Sequence, residues 1–136
     1  MQKRLRRTWI GKSGRRMNDK NLENKIKEEV ERQVDETGSV SPVSLLIALK
    51  YLDAMKVEEW KEGKIPNLER GITLGREKVL RLLSVMSQHA KKMGYKRKVE
   101  SYVGKDGKAL NFSVTANPVI EEHYSTLYFD KFWGKR

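Results

Sequence analysis

Apolar residues recur along this chain first at helical steps and then at alternate positions, and that switch predicts its elements. Within Asn21–Val34, Ile26, Val30 and Val34 stand four apart, which makes a helix with a narrow apolar stripe, half exposed, that ends at Thr37-Gly38. Ser41-Pro42 is a start signal: the hydroxyl can accept from free N–H groups and proline tolerates the first helical position. The helix it opens, Val43–Leu52, is the most apolar segment and is expected at the centre of the core. Val57–Glu62 reads as a short helix stopped by Gly63, and Ile65–Arg70 as a turn or short helix restarted by Pro66. From Gly75 to Met93 the periodicity is strongest, with Val79, Leu82, Leu83, Met86, Ala90 and Met93 on one side and Gly94 placed as a C-cap.

The period then drops to two. Val99, Ser101 and Val103 share one face, Leu110, Phe112 and Val114 share another, and Gly104-Lys105-Asp106-Gly107 joins them, so a β-hairpin is expected near residues 95–115. Asn117-Pro118 opens a last helix whose stripe is Ile120, Tyr124, Leu127, Tyr128 and Phe132. The class is therefore α+β, mostly helical: a helical bundle with one β-hairpin, in the element order of a winged-helix domain. Residues 21–136 form a single domain, preceded by a basic arm, residues 1–20, too poor in apolar side chains to offset its ordering entropy and expected to be mobile.

Composition narrows the chemistry. A chain of 136 residues with 38% hydrophobic residues buries a core without staples, and the lack of cysteine excludes disulfides, thiolate nucleophiles and sulfur-ligated metals. No apolar run approaches the roughly 18 residues of a membrane span, and the start of the chain lacks the apolar centre of a secretory signal, so no membrane partner and a cytoplasmic location are expected.

The net charge of +11 is unevenly spread. Residues 1–20 hold eight Lys/Arg against Asp19, residues 21–60 hold five against nine acids, and residues 81–100 hold six against Glu100. The second basic cluster, Lys91, Lys92, Lys96, Arg97 and Lys98, straddles the junction of the long helix and the first hairpin strand, and Lys105 and Lys108 flank the hairpin tip. With Val99 and Val103 facing inward, Lys96, Lys98 and Tyr102 face out, and helix end, strand and tip form one positive surface suited to phosphates. In the arm, Arg4, Arg6, Arg7, Arg15 and Arg16 suit a groove or an RNA backbone, and Trp9 suits stacking on an unpaired base. The plain alternatives are a solvated helix end for the cluster, and a mitochondrial targeting peptide or an anionic membrane surface for the arm. These residues make a small non-enzymatic nucleic-acid-binding protein the first reading, with DNA or RNA as partner and no cofactor.

Catalysis has less support. His89 lies on the Leu82/Met86/Met93 side of its helix, where a buried, hydrogen-bonded ring is expected, and two histidines thirty-four residues apart are not a metal-ligand spacing. Gly71–Lys78 lacks the Gly-Lys-Ser/Thr ending of a phosphate loop. A metal-dependent nuclease would need Glu62, Glu69, Glu77, Asp106 and Asp130 to converge, and no spacing favours it; no catalytic or metal-ligating residue is assigned. A further alternative is a protein-interaction module that docks through the aromatic C-terminal helix and the acidic helix over 21–36, with Phe129 and Trp133, off the main stripe, as its exposed pair.

Ser41–Leu52, Glu59-Trp60, Gly63–Arg70 and Asn117–Glu121 carry a resemblance. From Gly38 to about Asp130 the chain resembles a family of uncharacterised bacterial hypothetical proteins. That likeness implies a bacterial intracellular protein and transfers no site.

Overall fold

The computed structural model describes residues 11–134, with side chains from Lys20 onward. The elements run α1 (Gly11–Thr37), β1 (Ser39–Val40), α2 (Pro42–Ala48), α3 (Ala54–Lys61), a 3₁₀ turn (Leu68–Gly71), α4 (Arg76–Lys92), β2 (Lys96–Val99), α5 (Pro118–Ser125) and β3 (Thr126–Phe129). The mostly helical α+β class expected from the sequence is what is observed. No helix among the described residues is long and apolar enough to cross a membrane.

Two helices organise the core. The α1 stripe, widened by Leu22, buries Ile26, Val30 and Val34 against Val79, Leu82, Leu83, Met86 and Ala90 of α4. Glu23 pairs with Arg81, and His89 Nε2 lies 2.7 Å from Glu31 Oε2. Both cross-links join residues 58 apart, so α1 and α4 run parallel with a constant offset. His89 is buried, as its place on the apolar side requires.

Local chemistry fixes the joints. Gly38, at φ +90°, ends α1, and its N–H donates to Val34 O at 2.9 Å. Ser41 and Ser44 then exchange a capping box, Ser44 N–H to Ser41 Oγ at 3.1 Å and Ser41 N–H to Ser44 Oγ at 3.0 Å, with Pro42 opening the helix. Ser44 Oγ also donates to Gln33 Oε1 at 2.7 Å, which ties α2 to α1.

A second packing centre is aromatic. Phe112 stacks on Tyr124 with centroids 5.0 Å apart and meets Trp60 at 4.8 Å and the edge of Tyr102 at 5.0 Å. Trp60 Nε1 donates to Asn111 O at 2.9 Å. The N–H groups of Phe112 and Ser113 donate to Glu121 Oε1 and Oε2, each at 2.7 Å, and Val114 N–H donates to Glu69 Oε1 at 2.7 Å.

Those bonds explain where the structure departs from the sequence pattern. The turn at Gly104–Gly107 forms, with Gly107 N–H on Gly104 O at 2.9 Å, yet its flanks make only one bridge, Val103 to Ala109. Two carboxylates, the α3 indole of Trp60 and the Glu69 N–H, rather than a partner strand, satisfy the backbone of 111–114, so the expected hairpin is a bridged turn. The sheet is built from distant segments in the order β1-β3-β2, both pairs antiparallel, with Ser39 opposite Phe129 and Arg97 opposite Tyr128. The expected last helix stops at Ser125, because Thr126-Leu127-Tyr128-Phe129 is β-branched and aromatic and alternates buried with half-buried positions as the central strand. Helix α1 begins at Gly11, so the second half of the basic arm is helical rather than loose; residues 1–10 fall outside the described residues.

Candidate nucleic-acid interface

The basic cluster sits where α4 turns into β2. A Schellman motif makes that turn: Tyr95 N–H donates to Ala90 O at 3.0 Å, Gly94 N–H donates to Lys91 O at 3.1 Å, and Gly94 takes φ +80°. Lys91 and Lys92 therefore occupy the last turn of α4, beside the negative end of its dipole. Four residues on, Lys96, Arg97 and Lys98 begin an edge strand whose other side is joined by no strand among the described residues.

Register sorts these cations. Arg97 lies opposite Tyr128, while Lys96 and Lys98 lie opposite Phe129 and Leu127 on the other face of the sheet. Arg97 and Tyr128 face α4, where with Ser87, Lys91 and Tyr95 they line a groove of about 420 Å³. All four β2 residues are exposed, and Val99 at 52% and Val103 at 52% do not turn inward as the alternation predicted. Tyr102, expected to face out, is half-buried against Trp60.

The cations also differ in their partners. Lys98 Nζ lies 3.2 Å from Glu100, and Lys105 Nζ lies 3.0 Å from Glu62, which also holds Lys64 at 3.3 Å. The Lys105 ammonium, above all, holds the Glu62 carboxyl below its ordinary range, and Glu62 in turn raises Lys105. Lys105 N–H donates to Lys61 O at 2.9 Å, so the turn is fastened to the end of α3 rather than extended as a wing. Lys91, Lys92, Lys96, Arg97 and Lys108 form no ion pair among the described residues.

The arm lies elsewhere. Arg4, Arg6, Arg7 and Trp9 fall outside the described residues; Arg15 and Arg16 lie in α1, where only the backbone is described. The parallel offset places Arg15 and Arg16 beyond the start of α4, whereas Lys91 and Lys92 lie level with Gln33 and Val34. Eighteen residues at 1.5 Å each separate the two levels by about 27 Å. The arm root and the second cluster thus occupy opposite ends of the α1–α4 pair and share no single footprint.

The other candidate residues are committed to the fold. Trp133 covers Gly38, where an added Cβ would come within 2.9 Å of the indole, and its Nε1 donates to Asp35 O at 2.9 Å. Trp133 is nevertheless exposed, at 46%, as expected, whereas Phe129 is half-buried in the central strand and Phe132, at 57%, is the more open ring. Glu62, Glu69, Asp106 and Asp130 each bind a different ammonium or backbone N–H, and no three His, Asp or Glu among the described residues are grouped to hold a metal ion.

Sequence reasoning missed the groove. Its signal was Tyr95 just after Gly94, the position where a Schellman turn folds an apolar side chain back on its helix. No protein-family model, curated protein or solved structure matches this chain.

Proposed function

We propose that this protein is a small nucleic-acid-binding protein, not an enzyme, which holds phosphates at the α4–β2 end through Lys91, Lys92, Lys96 and Arg97. One observation carries the reading: these four cations gather within seven residues around an open strand edge and none is spent on a carboxylate among the described residues. A cation already neutralised by a neighbour gains little from a phosphate, whereas an unpaired one releases a condensed counterion from the nucleic acid. Acids dispersed over separate structural contacts favour binding over metal-dependent cleavage. A cytoplasmic location fits the same reading. The arm, whose described root at Arg15 and Arg16 lies some 27 Å away along α1, acts as an independent second contact.

The test is a titration of labelled duplex over a range of salt. Four phosphate contacts give a log–log slope of about −3.6, and the triple change Lys91→Gln, Lys96→Gln, Arg97→Gln flattens it by about 2.7. Affinity that ignores both salt and the triple change overturns the proposal.

A further inference from the structure

We infer that the groove between the end of α4 and β2 seats one unpaired base, so that the site selects single-stranded nucleic acid over duplex. This rests on the nucleic-acid reading and narrows it. The groove is walled by Tyr95 and Tyr128 and flanked by Lys91 and Arg97, with the hydroxyl-bearing Ser87 also in its lining. A backbone phosphate needs only the cations; the two phenols in the lining offer in addition a surface on which a base can lie. The volume, about 420 Å³, lies within the range of about 300–1,000 Å³ of pockets that enclose small organic groups. In a duplex the base faces are covered by their neighbours in the stack and cannot enter such a groove. An unpaired base presents its π-face to a ring and leaves its phosphates on either side.

The cations are disposed for that arrangement. Arg97 and Lys91 lie at the groove, within reach of the seated nucleotide's own phosphate. Lys96 projects from the opposite face of the same strand and Lys92 follows Lys91 at the exposed end of α4, so phosphates before and after the seated base meet separate charges. Tyr128 is fixed by the sheet and buried at 5% exposure, which makes it a rigid wall; Tyr95, half-buried on the turn and packed against the core, lines the groove with it.

The decisive experiment is fluorescence anisotropy with labelled oligothymidylate, oligouridylate and a duplex of equal phosphate count. Both single strands are expected to bind more tightly than the duplex, and a difference between them reports whether deoxyribose or ribose is preferred. Tyr95→Leu, which keeps an apolar side chain on the turn, is expected to weaken single-strand binding roughly five- to a hundredfold while changing duplex binding less than twofold. Tyr95→Phe retains the ring and is expected to retain the affinity. The wild-type chain supplies a readout independent of any variant: ultraviolet crosslinking to bromouracil-substituted oligonucleotide should place the adduct on a peptide containing Tyr95 or Tyr128. Duplex binding equal to or tighter than single-strand binding, an unaffected Tyr95→Leu, or adducts confined to other peptides would overturn the inference and leave the phosphate-binding role standing. Salt-independent or absent binding to all three probes removes that role as well.

Discussion

At the Trp60–Phe112 end of the molecule nearly every charge is used by the fold, and at the α4–β2 end it is not. Around Phe112, two carboxylates from separate elements, Glu121 and Glu69, accept backbone N–H groups that no strand pairs, while the Trp60 indole donates to Asn111 O and the Glu69 N–H to Phe112 O. Around β2, a strand of the same chain exposes Lys96 and Arg97, which form no ion pair among the described residues, next to a helix end that does the same with Lys91 and Lys92. A like excess of charge in both places would say only that the surface is soluble. The contrast says that the charges at the basic end, unlike its backbone, are used by no ion pair among the described residues, and a cation the fold does not use is available to a partner.

The sharpest way to break that comparison is to change one residue at each end. Phe112 is 1% exposed and touches Trp60, Tyr102 and Tyr124, so Phe112→Ala removes a fully buried ring from a rigid cluster. The expected loss is about 3–5 kcal/mol in urea unfolding. Lys96→Gln, at an exposed position, is expected to stay within about 0.5 kcal/mol of wild type while weakening phosphate binding. A large stability loss from Lys96→Gln would show that the fold depends on its charge after all.

Next in size is the carboxylate clamp. Glu121→Gln leaves Ser113 N–H, its hydroxyl and Phe112 N–H competing for one neutral carbonyl where two charged oxygens accepted all three. Charge-assisted bonds of this kind contribute about 1.5–3 kcal/mol, and a loss of about 2 kcal/mol is expected by chemical denaturation, with polyanion affinity unchanged.

How much of this was legible in advance follows from the range of the forces involved. Caps and helical stripes act over three or four residues, so Ser41-Pro42, Gly38, Gly94, Asn117-Pro118 and the α4 stripe could all be read directly, and so could a buried His89. The pairing of β2 with β3 joins Arg97 to Tyr128 across thirty-one residues, and nothing local distinguishes it from a hairpin with 110–114. What decided it was Glu121 and Glu69 taking the N–H groups a second hairpin strand would have offered to β2, a tertiary event invisible to periodicity. The site was half legible for the same reason. Clustering of Lys91–Lys98 is a matter of sequence, but which of those lysines is already neutralised, and that Tyr128 returns to wall the groove, depends on partners brought in from elsewhere.

Alkaline unfolding offers a smaller contrast. Burial pushes both Tyr124 and Tyr102 above the ordinary phenol value of 10.0, for Tyr124 aided by the nearby Glu69 and Glu121 carboxylates. Each is raised in the folded state, so its contribution is complete below pH 10.0 and is lost as the pH climbs through the folded values. The melting temperature should therefore fall above that pH, and Tyr102→Phe should blunt the fall; an unchanged alkaline limb would show that neither phenol is held neutral by the core.

The smallest expected effect is the most discriminating. Lys105 and Lys96 are both exposed lysines, but Lys105 meets Glu62 at 3.0 Å and Lys96 meets no carboxylate among the described residues. Because Lys105 depresses Glu62, that carboxylate remains charged, and the lysine neutralised, from neutral pH down through the ordinary glutamate value of 4.5; the pairing is lost only as the pH falls through the depressed folded value. At pH 7 Lys96→Gln should flatten the duplex salt slope by about 0.9, one released counterion, and Lys105→Gln should leave it unchanged. Equal flattening by both would mean that the Glu62 pair opens to admit a phosphate, and that the turn at Gly104–Gly107 belongs to the interface rather than to the packing of α3.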